Sequence, residues 1–409
     1  MNLTAFPLVC RLTLSPLDLP MDRRHFLAAG GLAAVAPIFS QTAMAGQTAV
    51  VGGQAASPLF RSVNFYSDGV DYTPAEYATR LHAMATREGF AADNYSLGGA
   101  VESLEKKFAA LLGKEAAMFV PTGTLANHLA VRKLAGEDRR VLVQAESHYF
   151  NDSGDGAETL SGLTLVPMGL RQADVTLDEV KAWVERTAGG RVKTPVGVIS
   201  IESPVRRRDH AMADFGELQR VSAYAREQGI RLHLDGARLF NLPLHSGKSL
   251  KEIAALFDTV YVSLWKHFNG ASGAILAGDA AFIEGLFHQR RMFGGALPYA
   301  WPQMALVADH VDGYADQYDR AWRDTEAMMA LLAKDGRFGF TRVPNGTSRY
   351  FMTVHGADSV TMVERARRHD VFLSRPHPAT GAWAMQVNPS VLRSTPEALA
   401  RVLTEAASG

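Results

Sequence analysis

His233-Leu234-Asp235-Gly236-Ala237-Arg238-Leu239-Phe240 is the stretch on which the fold turns. An apolar strand, Ile230–Leu234, runs into a glycine turn and leaves Asp235 at its C-terminal end. In open α/β sheets that edge is where ligands sit. Working outward, six more short apolar strands are expected, at Ala117–Val120, Val141–Gln144, Leu163–Val166, Val196–Glu202, Thr259–Leu264 and Gly273–Ala277. Helices separate them. Val101, Leu104, Phe108, Leu111 and Leu112 share one helical face, and Gly113 is placed as a stop. A second helix, marked by Phe215, Leu218, Val221 and Ala225, ends near Gly229. Near-continuous apolar strands alternating with helices predict a mostly parallel, seven-stranded α/β sheet covered on both faces.

The texture changes after about residue 305. A helical stretch over Met304–Leu332 leads to isolated strands near Tyr350–Val354, Val371–Leu373 and Ala384–Val387, and a helix over Pro396–Ala406 closes the chain. The expected organisation is a large domain over 63–305 and a smaller α+β domain over 306–409.

The 409 residues carry 42 basic and 42 acidic side chains, so the formal net charge is zero. A chain so balanced has no electrostatic reason to seek nucleic acid or anionic lipid. Its single cysteine, Cys10, excludes a disulfide framework and a cysteine-rich zinc site, and no metal is expected.

The first 45 residues read as an address. Arg23 and Arg24 stand directly before the apolar run Phe26 to Phe39, and Ala43 and Ala45 fit a small-residue cleavage site. That run is shorter than the about 20 residues a membrane span needs, so no stable membrane anchor is expected. Twin arginines before a Gly/Ala-rich segment resemble a bacterial twin-arginine export signal. Residues 1–20 add nothing such a signal needs, which makes Met21 a candidate start. The expected destination is the periplasm or beyond, through the export machinery, with the cytoplasm as the alternative if the leader is silent. Residues 46–62, rich in Gly, Ala, Gln and Ser, form a loose lead-in.

Several common motifs are missing. The chain has no Gly-x-Gly-x-x-Gly, Gly-x-Ser-x-Gly or His-Glu-x-x-His. Gly247-Lys248-Ser249 imitates the end of a phosphate loop, but Leu242 stands where its first glycine belongs. Asn151 to Gly156 imitates a calcium loop, but Gly162 occupies the position of the closing glutamate.

What remains is a constellation. Thr259-Val260-Tyr261-Val262-Ser263-Leu264-Trp265 is an apolar strand that ends in Lys266. A lysine and an aspartate at the ends of two nearby parallel strands form the pair that serves pyridoxal 5'-phosphate. Lys266 supplies the Schiff base, and Asp235 keeps the pyridine nitrogen protonated so that the ring takes up carbanion electrons. Pro121-Thr122-Gly123-Thr124 follows a strand and opens a helix, where free N–H groups and the helix dipole favour a phosphate. His148 follows the strand Val141–Gln144 and is placed to lie over an aromatic ring.

Together these residues resemble the threonine aldolases and their aromatic amino acid β-eliminating lyase relatives, of the fold-type I, aspartate aminotransferase-like, pyridoxal phosphate class. The likeness covers about residues 64–310 well. Ser67-Asp68, Asp93-Asn94-Tyr95, Leu111 through Ala117, Ser147-His148, Ser263 through Lys266 and Phe293-Gly294-Gly295 all follow the family pattern, with His233 through Phe240 the most specific block. The resemblance implies that Gly123 and Thr124 bind phosphate, that His148 stacks on the ring, and that Arg238 contacts phosphate or substrate carboxylate. It also implies that Ser67 binds that carboxylate, and that the protein is a homodimer or homotetramer.

There are departures too. An arginine usual after the Gly-Gly pair is replaced by Ala296-Leu297-Pro298, and a Glu-Asn-Thr-His segment reads Glu202-Ser203-Pro204-Val205. The carboxylate-gripping arginine usual near the C-terminus has no counterpart in Ala384-Met385-Gln386-Val387-Asn388. Arg375 or Arg349 substitutes, and Arg375 is favoured because Pro376 stiffens its approach.

The expected function is a pyridoxal-phosphate-dependent carbon–carbon lyase on a β-hydroxy-α-amino acid, releasing glycine and an aldehyde, with Lys266, His148 and Asp235 as catalytic residues. β-Elimination or racemisation of another amino acid with the same cofactor is the first alternative. A non-catalytic exported binding protein on the same scaffold is the second.

Lysine keeps the charge of arginine but not its planar fork. Arg23→Lys/Arg24→Lys is therefore expected to leave precursor in the cytoplasm, as cell fractionation would show; normal export of the double variant would exclude the twin-arginine route.

Overall fold

The computed structural model describes residues 59–408. The export leader expected over 1–45, and the lead-in as far as residue 58, lie outside the described residues. Twelve strands occur in the described chain. They are β1 (Val63–Asn64), β2 (Ala116–Val120), β3 (Arg140–Gln144), β4 (Thr164–Met168), β5 (Val196–Glu202), β6 (Arg231–Asp235), β7 (Thr259–Ser263), β8 (Ala274–Gly278), β9 (Phe338–Arg342), β10 (Arg349–Val354), β11 (Val371–Phe372) and β12 (Trp383–Gln386).

Seven of these form the main sheet in the order β2-β8-β7-β6-β5-β3-β4. Only β8 runs against its neighbours β2 and β7; the other pairings are parallel. Every residue of β5, β7 and β8 is buried, which is why these segments read as unbroken apolar runs rather than alternating ones. The edge strands β2 and β4 are partly exposed. The expected α/β architecture is the observed one.

Helices cover the sheet where the periodicity placed them. Gly99–Leu112 buries Val101, Leu104, Phe108, Ala109 and Leu112 and ends at Gly113, whose φ of 64° is the left-handed turn that favours glycine. Phe215–Glu227 starts at Asp214, whose side chain accepts a hydrogen bond from Glu217 N.

The smaller layer is an antiparallel sheet, β12-β10-β9. β9 was not expected, because Phe338-Gly339-Phe340 offers only two apolar residues around a glycine. The single helical stretch expected over Met304–Leu332 is in fact two helices, Trp301–His310 and Tyr314–Leu332, broken at Gly313. The second buries Tyr314, Tyr318, Ala321, Thr325, Met328, Met329 and Leu332, one stripe at helical spacing. The change of texture at 305/306 falls inside the first of these helices, and no linker separates the layers there.

The start of the described chain belongs with the small layer. β1 pairs in parallel with β11, Val63 opposite Val371. Asn388 then ties the two together: its Nδ2 donates to Asn64 O at 2.9 Å and Ser67 O at 3.0 Å, and its Oδ1 accepts from Ser390 N at 2.9 Å. Asn388 is fully buried, so each partner lost is a desolvated group left unpaired. Asn388→Ala should lower the unfolding free energy by about 2–4 kcal/mol, read from the urea midpoint; an unchanged midpoint would show that this node holds nothing together.

Candidate active site

β2 runs parallel to β7 because both are antiparallel to β8, so β2, β3, β5, β6 and β7 all end at one edge. Five sequence-singled features arrive there for that reason alone. Thr122-Gly123-Thr124 follows β2, His148 follows β3, Glu202 ends β5, Asp235 ends β6, and Lys266 lies three residues past β7.

Two cavities open at this edge, of about 180 and 420 Å³. Gly123, Thr124, Asn127, His148, Glu202, Asp235 and Arg238 line the smaller; Ser67 and Asp68 line the larger. Lys266 and Trp265 line both. Of the residues named from the sequence, Gly123, Thr124, His148, Asp235, Arg238 and Lys266 therefore meet in one cavity, and Ser67 joins them across Lys266. Arg375 does not. It lines a separate cavity of about 950 Å³ in the small layer, with Arg367, His377 and Trp383. The expectation that Pro376 would steer Arg375 into the cleft is not met: after β11, which pairs with β1, the chain places Arg375 in that separate cavity.

Asp235 is held by a buried polar chain. Asn127 Nδ2 donates to its Oδ2 at 2.6 Å and Ala237 N to its Oδ1 at 3.1 Å. Asn127 Oδ1 in turn accepts from His233 Nε2 at 2.8 Å, and His233 Nδ1 lies 2.8 Å from Thr259 Oγ1. Burial pulls His233 down to about 4, the Asp235 carboxylate opposing it. The ring is therefore neutral, so Nε2 carries the hydrogen and Thr259 donates to Nδ1. Asn127 could not have been assigned from sequence, since an Asn on a helix facing a sheet has no signature of its own.

Lys266 is nearly fully buried, and burial together with the Arg238 guanidinium lowers its amine to about 8. Its Nζ stands 5.4 Å from the Trp265 ring centroid. Glu202 is pushed up to about 7 by burial and by the Asp235 carboxylate. Its Oε2 accepts from His148 N at 2.6 Å and its Oε1 from Arg206 N at 2.9 Å. His148 is lowered by burial, and its Nδ1 is buried without a partner among the described residues.

Arg238 is committed. Its Nε and Nη2 donate to the two oxygens of Asp68 at 2.6 and 2.8 Å, leaving Nη1 for any ligand. Burial pushes Asp68 up, but the Arg238 guanidinium wins and holds its carboxyl well below the usual range. Gln386 Nε2 also donates to Asp68, and Gln386 Oε1 accepts from Arg349 Nη2 at 3.3 Å. Arg349 reaches Asp209 at 3.4 Å through Nη1, and its Nε is buried without a partner. This second guanidinium lines neither cavity at the sheet edge, but it stands two hydrogen bonds from Asp68, whereas Arg375 lies in a separate cavity.

The donor set suits pyridoxal phosphate. The first N–H groups of helix Gly123–Ala135 have no intrahelical acceptor. Gly123 is required, since a Cβ there would lie 1.9 Å from Tyr261 Oη. The unpartnered His148 Nδ1, the acid Asp235 and the depressed amine of Lys266 complete a place for a phosphorylated pyridine aldehyde. Among the described residues no group of three or more His, Cys, Asp or Glu is placed to hold a metal ion.

Known proteins are similar to this chain. The model of the β-eliminating lyase family matches residues 64–346. A low-specificity L-threonine aldolase of Saccharomyces cerevisiae is 31% identical over 209 residues, covering 50% of this chain and 53% of that protein. An alanine racemase of Cochliobolus carbonum is 30% identical over 205 residues, covering 47% of this chain and 49% of that protein. The chain thus spans about half the length of these curated relatives. Among solved structures, a candidate L-allo-threonine aldolase of Listeria monocytogenes is 27% identical with a TM-score of 0.66, over 81% of this chain and 92% of that one.

A lysine lowered to about 8 has roughly a tenth of its amine as free base at pH 7, against fewer than about one in a thousand for an ordinary lysine. In cofactor-free protein, limited acylation across a pH series followed by peptide mass spectrometry should show Lys266 labelling rising with a midpoint near pH 8, about two units below the exposed lysines. Labelling of Lys266 that rises only near pH 10 would contradict the burial argument.

Proposed function

The chain belongs to the β-eliminating lyase family, and we propose that it is a pyridoxal-phosphate-dependent carbon–carbon lyase that splits a β-hydroxy-α-amino acid into glycine and an aldehyde. The observation that carries this reading is the convergence of Lys266, Asp235 and the helix start at Gly123 on one sheet edge, in a chain similar to threonine aldolases.

Pyridoxal phosphate, when bound, supplies an electron sink for the pair left on Cα as a bond to it breaks. The protein's part is to hold and to move protons. Gly123 and Thr124 would bind the phosphate through the helix start. Lys266, whose amine is already partly neutral, would hold the cofactor. Asp235, fixed by Asn127 and Ala237, would keep the ring nitrogen protonated. His148, neutral by burial, takes the β-hydroxyl proton, directly or through one water. Glu202 stands ready to hold a proton near neutral pH. Ser67 and the Arg349 guanidinium receive the α-carboxylate, the latter in place of the arginine missing from 384–388.

Exposed apolar side chains stand on the loop 294–301 at Tyr299 and beside it at Met292 and at Tyr95, whose N donates to Pro298 O, which supports assembly with a second copy. Export of the folded protein remains part of this reading, supported by the pattern of the leader.

The decisive experiment loads purified protein with pyridoxal phosphate and follows aldehyde and glycine from threonine and from β-phenylserine. Borohydride should fix the cofactor on Lys266, and Lys266→Ala should abolish turnover. Arg349→Ala should raise KM roughly thirtyfold, the lower end of the cost of truncating a desolvated charge pair, while Arg375→Ala leaves it unchanged. Ammonia with a keto acid would favour β-elimination, loss of optical activity without aldehyde would favour racemisation, and inertness toward every amino acid would leave a binding protein.

A further inference from the structure

We infer that the cavity of about 950 Å³ in the small layer is a second ligand site, one that takes an α-amino acid zwitterion with an apolar side chain. It shares no lining residue with the two cavities at the sheet edge, and the inference does not rest on the lyase reading.

Two stretches of chain wall the cavity, the helix Ser359–Arg368 and the segment that follows β11, and Trp383 of β12 adds an indole. Its volume lies within the range of small-molecule pockets, about 300–1,000 Å³. Neither stretch has spent its charges on the other. Arg367 and Arg375 line the cavity, and neither makes a hydrogen bond or ion pair with another described residue. Arg367 stands 5.8 Å from the Phe372 ring centroid. Glu364 also lacks an ion pair among the described residues, although Arg367 and Arg368 follow it at three and four positions, the spacing at which helical side chains meet. The other polar groups are engaged. Asp358 Oδ1 accepts from Thr361 N at 2.8 Å and caps the helix, and His377 Nδ1 accepts from Ala379 N at 3.3 Å.

The cavity therefore presents two open guanidinium groups and one open carboxylate. A plain anion would be repelled by Glu364, and a plain cation by the two arginines. A zwitterion answers both, its carboxylate meeting the planar fork of arginine and its ammonium meeting Glu364. The rest of the wall is apolar. Val354, Val363 and Leu373 line it, and Val360 is left 65% exposed there, a surface that an apolar ligand side chain would take out of water.

Unpartnered polar atoms mark the place as incomplete. Trp383 is only 2% exposed, yet its Nε1 has no partner among the described residues. The buried Oγ of Ser374, between the lining residues Leu373 and Arg375, has none either. Buried groups of this kind are nearly always paired. A ligand carboxylate in the cavity that Trp383 lines brings an acceptor to them.

The test is calorimetry on borohydride-treated protein, in which any bound cofactor is fixed and cannot exchange with the probe. L-Phenylalanine should bind once per chain. 3-Phenylpropanoate lacks the ammonium and 2-phenylethylamine lacks the carboxylate. Each should bind at least about tenfold more weakly, the scale of one hydrogen bond to a charged group. Arg375→Ala should weaken phenylalanine and 3-phenylpropanoate alike by about tenfold, whereas Glu364→Gln should weaken phenylalanine about tenfold and 3-phenylpropanoate not at all. Both side chains are exposed, so the thermal midpoint should stay in place. Phenylalanine binding that survives Arg375→Ala or Glu364→Gln unchanged overturns the inference. So does 3-phenylpropanoate bound as tightly as phenylalanine, or no binding of any probe. Release of aldehyde from threonine by untreated protein judges the lyase reading separately.

Discussion

The buried pair of Asp68 and Arg238 is the contact on which the site depends. Arg238 stands three residues past the end of β6, and Asp68 lies on the loop that leads away from β1. Both side chains are more than nine-tenths buried. Two charges taken out of water repay the desolvation only when their geometry is good, and removing either partner from such a pair costs about 3–5 kcal/mol. Here the geometry is bidentate. Through it the first described loop is held over the sheet edge, and through Gln386 the small layer is held to the same carboxylate. One ion pair therefore joins three parts of the chain at the mouth of the cleft.

That pair also sets the electrostatics. Burial first and Arg238 second lower the Lys266 amine, Asp68, Asp235 and Glu202 pull it the other way, and the balance falls at about 8. Asp235 and Glu202 lie opposite each other on β6 and β5, and burial first, then the Asp235 carboxylate, raises Glu202 to about 7. The cluster thus holds one amine and one carboxyl near neutrality, the range in which proton transfer is efficient. Such tuning needs no unusual residue. It needs ordinary residues delivered by five strands to one edge.

Much of this was legible in the chain. The seven main strands, the two amphipathic helices and the grouping of Gly123, Thr124, His148, Asp235 and Lys266 follow from apolar runs, glycine turns and order along the sequence, while Arg238 came with the family resemblance. β9 escaped because a glycine interrupts its short apolar run, and the break at Gly313 was hidden inside a stretch of good helix formers. Asn127 escaped for another reason: it acts through Asp235, more than a hundred residues away, and no local pattern reports such a partner.

Sequence by itself determined the sheet, the edge and the chemical types gathered there, because side-chain periodicity and turn residues act within a few positions. Only the tertiary structure decided which arginine joins the hydrogen-bonded network of Asp68. Arg375 and Arg349 look alike in the chain, both basic and both next to apolar strands. β11 pairs with β1 and carries Arg375 to a separate cavity, whereas Arg349 is paired in register with Gln386 and so brought beside Asp68. Strand register moves a side chain from one face to the other with a single step, and register is set by contacts between segments that the sequence does not juxtapose.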